Sequence, residues 1–136
     1  MNPTPWDHSE QFTDHFTHPR NVGAIPVGGH VGTGTVTASE CGDVMRLQIE
    51  VDKAGRISRA VFKVFGCSAA IAAGSATTEW LRGRSIEEAE GFRGEVVTDL
   101  LQLAPDKQHA SRLAEGAVRE AVGDYKKRCC AAGTGP

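Results

Sequence analysis

No stretch of this chain approaches the ~18 consecutive apolar residues that a membrane helix requires, so no membrane role is expected. A basic surplus is missing too. The 15 lysines and arginines face 17 aspartates and glutamates, for a formal net charge of -2. Duplex binding shows as a basic face, so nucleic acid is not expected as a partner. The opening MNPTPWDHSEQF has neither a basic nor an apolar signal region, so the chain is expected in the cytoplasm. There is no internal repeat and no composition break. The expectation is one domain, 1–136, with flexible ends at 1–6 and 129–136. Its hydrophobic fraction of 40% is enough to build a core. Cysteine is scarce: Cys41, Cys67, Cys129 and Cys130. In a reducing compartment such thiols read as metal ligands or reactive groups before disulfides, or as inert buried residues.

What is present reads as strands followed by helices. Residues 7–18 form a short helix with Phe12 and Phe16 on one face, stopped by Pro19. Residues 23–34 are glycine-rich and loop-like. Residues 33–38 are rich in Thr and Val and begin a β region. Met45, Leu47, Ile49 and Val51 then alternate with Arg46, Gln48, Glu50 and Asp52, the period of a half-buried strand. Asp52 to Gly55 makes a hairpin turn, and 57–65 a third strand. Next come an Ala-rich helix over 68–82, a capping box at Ser85 and Glu88, and a helix over 95–103 broken near Pro105. The last helix spans about 111–128, with Ala114, Ala117, Val118, Ala121, Val122 and Tyr125 as its apolar stripe. The predicted class is α+β: a three-stranded antiparallel sheet with helices packed on one face and a long C-terminal helix.

Three element ends hold the candidate chemistry. Cys41-Gly42-Asp43 lies in the turn before the second strand, Cys67 at the entry to the Ala-rich helix, and His109 just before the last helix. A thiolate is the form that binds metal or attacks sulfur. The N-terminal amides and dipole of a helix should lower the pKa of Cys67, provided burial does not oppose them. Thiolate with imidazole suits zinc or iron, and an aspartate oxygen adds a harder, more labile donor. Each residue alone has an ordinary explanation in packing, capping or turn formation. Their joint placement points to a metal site. Gly32-Thr33-Gly34 leads into a strand rather than a helix, which argues against a phosphate loop.

Several motifs in order resemble the IscU/NifU-type iron–sulfur scaffold proteins, from about Trp6 to Tyr125. Trp6 to Glu10 is similar to the opening of NifU-type chains. His18-Pro19-Arg20-Asn21-Val22-Gly23 is similar to the family's "NPRNVG". Cys41-Gly42-Asp43 corresponds to its first cysteine and nearby aspartate. Phe65 to Ala72 resembles "FGCGSAIA" and carries the second cysteine. The resemblance implies a scaffold rather than an enzyme. Such a scaffold receives sulfur from a cysteine desulfurase, assembles a transient [2Fe-2S] cluster or holds iron, and passes its cargo to acceptor apo-proteins. It also implies zinc in the cluster-free form. The implied site is Cys41, Asp43, Cys67 and His109 as metal ligands, with Lys107 beside the cluster.

One departure stands out. The family reads "LPPxKxHCS" before the last helix, and here the stretch is Leu103-Ala104-Pro105-Asp106-Lys107-Gln108-His109-Ala110-Ser111. Ala110 replaces a third cysteine that serves the family as cluster ligand and sulfur acceptor. Ala104 alters a segment that a chaperone recognises. The tail thiols follow a helix of roughly 27 Å and are expected to lie out of reach of the site. Two readings follow. The chain is a divergent scaffold with a more labile cargo, or a non-assembling paralogue that binds zinc or iron and regulates a desulfurase.

Overall fold

Alternation builds the sheet. In the computed structural model, which describes residues 10–26, 28, 30–38, 42–103 and 105–131, three strands pair antiparallel in the order β1-β2-β3. They are β1 (Val31–Thr37), β2 (Val44–Val51) and β3 (Ile57–Phe65). Met45, Leu47 and Ile49 of β2 are fully buried on one face. Burying a side chain of this size contributes about 1.5–3 kcal/mol. The β2–β3 turn forms as its residues dictate. The Asp52 carboxylate accepts from the amides of Ala54 at 2.9 Å and Arg56 at 3.0 Å. Gly55 takes a φ of 80°.

The helices are α1 (Glu10–Thr17), α2 (Ser68–Leu81), α3 (Ile86–Glu90), α4 (Gly94–Leu101) and α5 (His109–Ala131), with a 3-10 turn at Pro105–Lys107. α2 packs on β3, and α5 lies along β1 and β2. Their small residues let them sit close: Ala69, Ala70, Ala72, Ala73, Ala114, Ala117 and Ala121 join one cluster with Leu47 and Phe62. This is the predicted α+β arrangement. α3 begins with the expected capping box, Glu88 N–H donating to Ser85 Oγ at 3.1 Å and Ser85 N–H to Glu88 Oε1 at 2.8 Å. Trp80 is half-buried against the core. The Phe92 ring meets it edge-on, with centroids 5.0 Å apart, and the Arg84 guanidinium lies over it.

The boundaries that bear on the site differ from expectation at β1 and α5, while α1, α2 and α4 end one or two residues early. β1 starts two residues earlier, at Val31, so Gly32 and Gly34 belong to the strand. Their role is close approach: a Cβ on Gly34 would stand 2.5 Å from Ala117 O and Ala121 N of α5. α5 begins at His109 and continues to Ala131, so residues 129–131, expected in a flexible tail, are helical. No proline or left-handed residue interrupts the run after Arg128, and a helix continues where nothing stops it. Residues 1–9 and 132–136 lie outside the described residues.

α1 is tied to α2 by a polar cluster that the sequence reading missed. His15 is buried. The Arg20 guanidinium, which can only donate, reaches His15 Nδ1 at 3.2 Å, so that nitrogen accepts and the Ser75 hydroxyl donates to it at 2.7 Å, while the Arg20 amide donates to Ser75 Oγ at 2.9 Å. That leaves the ring proton on Nε2, which faces Glu79 Oε1 at 3.6 Å. Asn21 Nδ2 donates to Thr78 Oγ1 at 3.1 Å, and Arg20 also pairs with Asp14. Ser75 is fully buried, so this serine–histidine–carboxylate row is a fastener and not a nucleophile. The motif residues Arg20 and Asn21 owe their place to it.

Candidate metal centre

The β1–β2 connection delivers a carboxylate. Gly42 takes a φ of 74°, a conformation that costs glycine little. Its amide donates to Ala38 O at 2.8 Å, and the Ala38 amide donates to Asp43 O at 2.7 Å. The turn thereby directs Asp43 inward, where it is only 4% exposed. Gly66 makes the room: a Cβ there would stand 2.5 Å from Asp43 Cγ and Oδ1. The next residue, Cys67, is the N-cap of α2 and makes no side-chain capping bond. His109 is the first residue of α5. Sheet end, α2 start and α5 start therefore meet.

Their donor atoms converge. Cys67 Sγ donates to Asp43 Oδ2 at 3.1 Å and lies 3.6 Å from His109 Nε2. His109 Nε2 and Asp43 Oδ2 are 3.4 Å apart. A tetrahedral zinc with sulfur at about 2.3 Å and nitrogen or oxygen at about 2.0–2.1 Å has ligand-to-ligand edges of about 3.4–3.6 Å. Two of the three edges already have that length. The third is short because a thiol proton bridges it, and a cation would replace that proton. These three residues form a group able to hold a metal ion.

Electrostatics correct one expectation. Cys67 stands at a helix N-terminus, yet its thiol pKa is raised. Burial is the largest cause, and the hydrogen bond to Asp43 adds to it. The amides of Ala70 and Ala69 pull the other way and lose. The metal-free centre therefore keeps Cys67 as a thiol.

Residues 7–132 match the NifU-like N terminal domain. The chain belongs to the NifU-like N-terminal domain family. The iron–sulfur cluster assembly scaffold protein IscU of Haemophilus influenzae is 48% identical over 122 residues, covering 89% of this chain and 97% of that one. IscU of Escherichia coli K12 is 45% identical over 122 residues, covering 89% and 95%. Among solved structures, a protein assigned as cluster assembly scaffold to the SUF system of Fervidobacterium islandicum superposes with a TM-score of 0.65 at 20% identity. That match covers 84% of this chain and 95% of the other. The NifU-like protein of Brucella abortus gives 0.59 at 16% identity, covering 90% and 94%. These two likenesses concern the fold.

Within this NifU-like domain the other expected residues fall as follows. Cys41 lies outside the described residues. Lys107 ends the 3-10 turn, two residues before His109, and is half-buried. It makes no hydrogen bond or ion pair with the three-residue group among the described residues. Ala110 is fully buried in the core cluster. Cys129 and Cys130 sit on α5 some twenty residues beyond His109, or about 30 Å along the helix.

Proposed function

We propose that this chain is a scaffold of iron–sulfur cluster assembly whose cargo is iron or a transient [2Fe-2S] cluster. Cys67, Asp43 and His109 hold that cargo, with Cys41 as the second thiolate. The observation that carries this reading is the convergence of three donor atoms, two of their three separations at the edge lengths of one coordination sphere, in a chain nearly half identical to named scaffolds.

Loading is a proton exchange. Cys67 enters as a thiol, because burial and the Asp43 carboxylate favour the proton. An arriving cation offsets that burial and displaces the proton, so uptake strengthens as pH rises. Asp43 then contributes an oxygen donor, harder than thiolate and more readily displaced, which suits cargo that must leave. His109 contributes a neutral imidazole. Lys107 supplies positive charge beside an anionic cluster. Sulfur comes from a cysteine desulfurase, and the cargo goes to acceptor apo-proteins. Zinc fills the site when no cluster does. The chain acts as a platform, not a catalyst, in one domain in the cytoplasm.

Ala110 favours a second reading, because the thiol that should stand beside His109 is an alanine. In that reading the chain holds zinc or iron and occupies a desulfurase without accepting sulfur. Anaerobic reconstitution with ferrous iron, cysteine and a cysteine desulfurase separates the two. The scaffold reading expects visible absorption and Mössbauer spectra of a [2Fe-2S] cluster. A colourless protein that retains one zinc supports the regulator.

A further inference from the structure

Among the described residues, the face of the sheet turned away from α2 and α5 is closed at its middle and open at the end nearest the metal centre. Gln48 lies on that face. Its side-chain amide accepts from the Ile25 amide and donates to the Ile25 carbonyl, both at 2.9 Å. The chain around residue 25 therefore crosses the sheet there. Two rows nearer the centre stay uncovered among the described residues. One is Thr37–Val44–Phe65 and the next is Thr35–Arg46–Lys63.

Both rows are unusual for a surface with no partner. Phe65 is 82% exposed although it sits on a paired strand, two residues before Cys67. Arg46 and Lys63 are directly opposite one another. Like charges so placed oppose strand pairing. Neither makes an ion pair among the described residues. Glu50, an acid on this face, is already engaged by Arg59 at 3.5 Å and His30 at 3.6 Å. A chain of net charge -2 thus carries a cation pair without an ion-pair partner among the described residues, beside an exposed aromatic ring. Such a surface fits a partner that brings carboxylates to the cations and an apolar socket to the ring.

We propose that Phe65, Val44, Arg46 and Lys63 form the docking surface for the sulfur donor, a cysteine desulfurase presenting an acidic segment around an apolar socket. This inference rests on the sulfur-receiving function proposed above. The surface and the metal centre occupy opposite faces of one sheet end, joined by Phe65-Gly66-Cys67 where β3 ends and by Asp43-Val44 where β2 begins. An enzyme seated on the outer rows overhangs Cys67 without filling its ligand sphere. Docking and loading are therefore separable.

The test measures binding of the full chain to a purified cysteine desulfurase by calorimetry, at low and high salt. The variants are Phe65→Ser and the pair Arg46→Gln with Lys63→Gln. Zinc content of each variant is measured in parallel. The expected result is at least about tenfold weaker binding for both, with zinc content unchanged. Wild-type affinity should fall with salt, and that dependence should flatten in the double variant, because exposed ion pairs are screened. Variants that bind like wild type overturn the surface and leave the scaffold reading standing. A wild type that does not bind any desulfurase overturns the sulfur-receiving function and this surface with it. A dimer of this chain that dissociates in the variants makes the occupant a second copy and overturns the proposal. Should Phe65→Ser fail to fold, the double variant decides alone, since both of its side chains lie on the uncovered rows.

Discussion

At the residue scale, the centre is defined by how Asp43 controls Cys67. The carboxylate accepts the thiol proton, and together with burial it holds the thiol pKa up. Asp43→Asn keeps the shape and removes the charge. The thiol pKa should fall, and iodoacetamide should label Cys67 faster at pH 8, by up to about tenfold per pKa unit recovered. Mass spectrometry of the labelled peptide checks this, and equal rates would show that burial acts alone. Ala110 is the second residue of interest. It stands beside His109 in the first turn of α5, but it is fully buried. Ala110→Cys places a thiol in the first turn of α5, where the dipole favours thiolate and burial opposes it, at a packing cost of about 1–3 kcal/mol. Reconstituted cluster and persulfide at residue 110 should both increase while the melting temperature drops. A folded variant that gains neither would mean that position 110 is not what limits the cargo.

At the scale of elements, the site depends on the absence of side chains. Gly66 joins β3 to α2, and a Cβ there would overlap the Asp43 carboxylate. Gly66→Ala should therefore displace Asp43 and reduce bound zinc several-fold, with far-ultraviolet circular dichroism close to wild type. Full metal content in that variant would place the carboxylate outside the site. The opposite end of α5 makes a contrasting case. It carries Cys129 and Cys130 about 30 Å along the helix from His109. Truncation after Arg128 removes both thiols and the last turn, and zinc content should not change. Loss of metal on truncation would assign those thiols to the site of a second molecule. The Ala-rich face of α2 and the glycines of β1 serve one purpose. They bring helix backbones close enough to the sheet for Cys67 and His109 to meet Asp43.

On the scale of the whole molecule, α1 is held by a group that titrates. His15 is buried among Ser75, Glu79, Arg20 and Asp14, and its pKa is lowered from 6.5. Burial is the main cause, followed by the Arg20 charge, with Glu79 and Asp14 opposing. A depressed folded pKa stabilises the native state fully above the ordinary histidine value. That contribution is lost as pH falls through the folded value. Acidification from pH 7.5 to 5 should thus lower the melting temperature more for wild type than for His15→Gln, and loosen α1 first. Parallel pH slopes for the two proteins would rule out His15 as the titrating group.

Much of this molecule is legible without coordinates. The alternation of Met45, Leu47, Ile49 and Val51, the Asp52–Gly55 turn, the Ser85 capping box and the small-residue helix at 68–82 are local patterns. Their period and backbone preferences are properties of neighbouring residues. The substitution at Ala110 is likewise a matter of sequence alone. Tertiary structure decided the rest. Asp43, Cys67 and His109 are separated by 24 and 42 residues, and no local pattern shows that their donor atoms meet. The His15–Ser75 bond spans 60 residues. The pKa of Cys67 moved opposite to the helix-end argument, because desolvation depends on what covers a thiol, and a dipole term read from sequence contains no burial. Gly34 looked like part of a loop until α5 lay against it, since close approach is a property of two backbones and not of one.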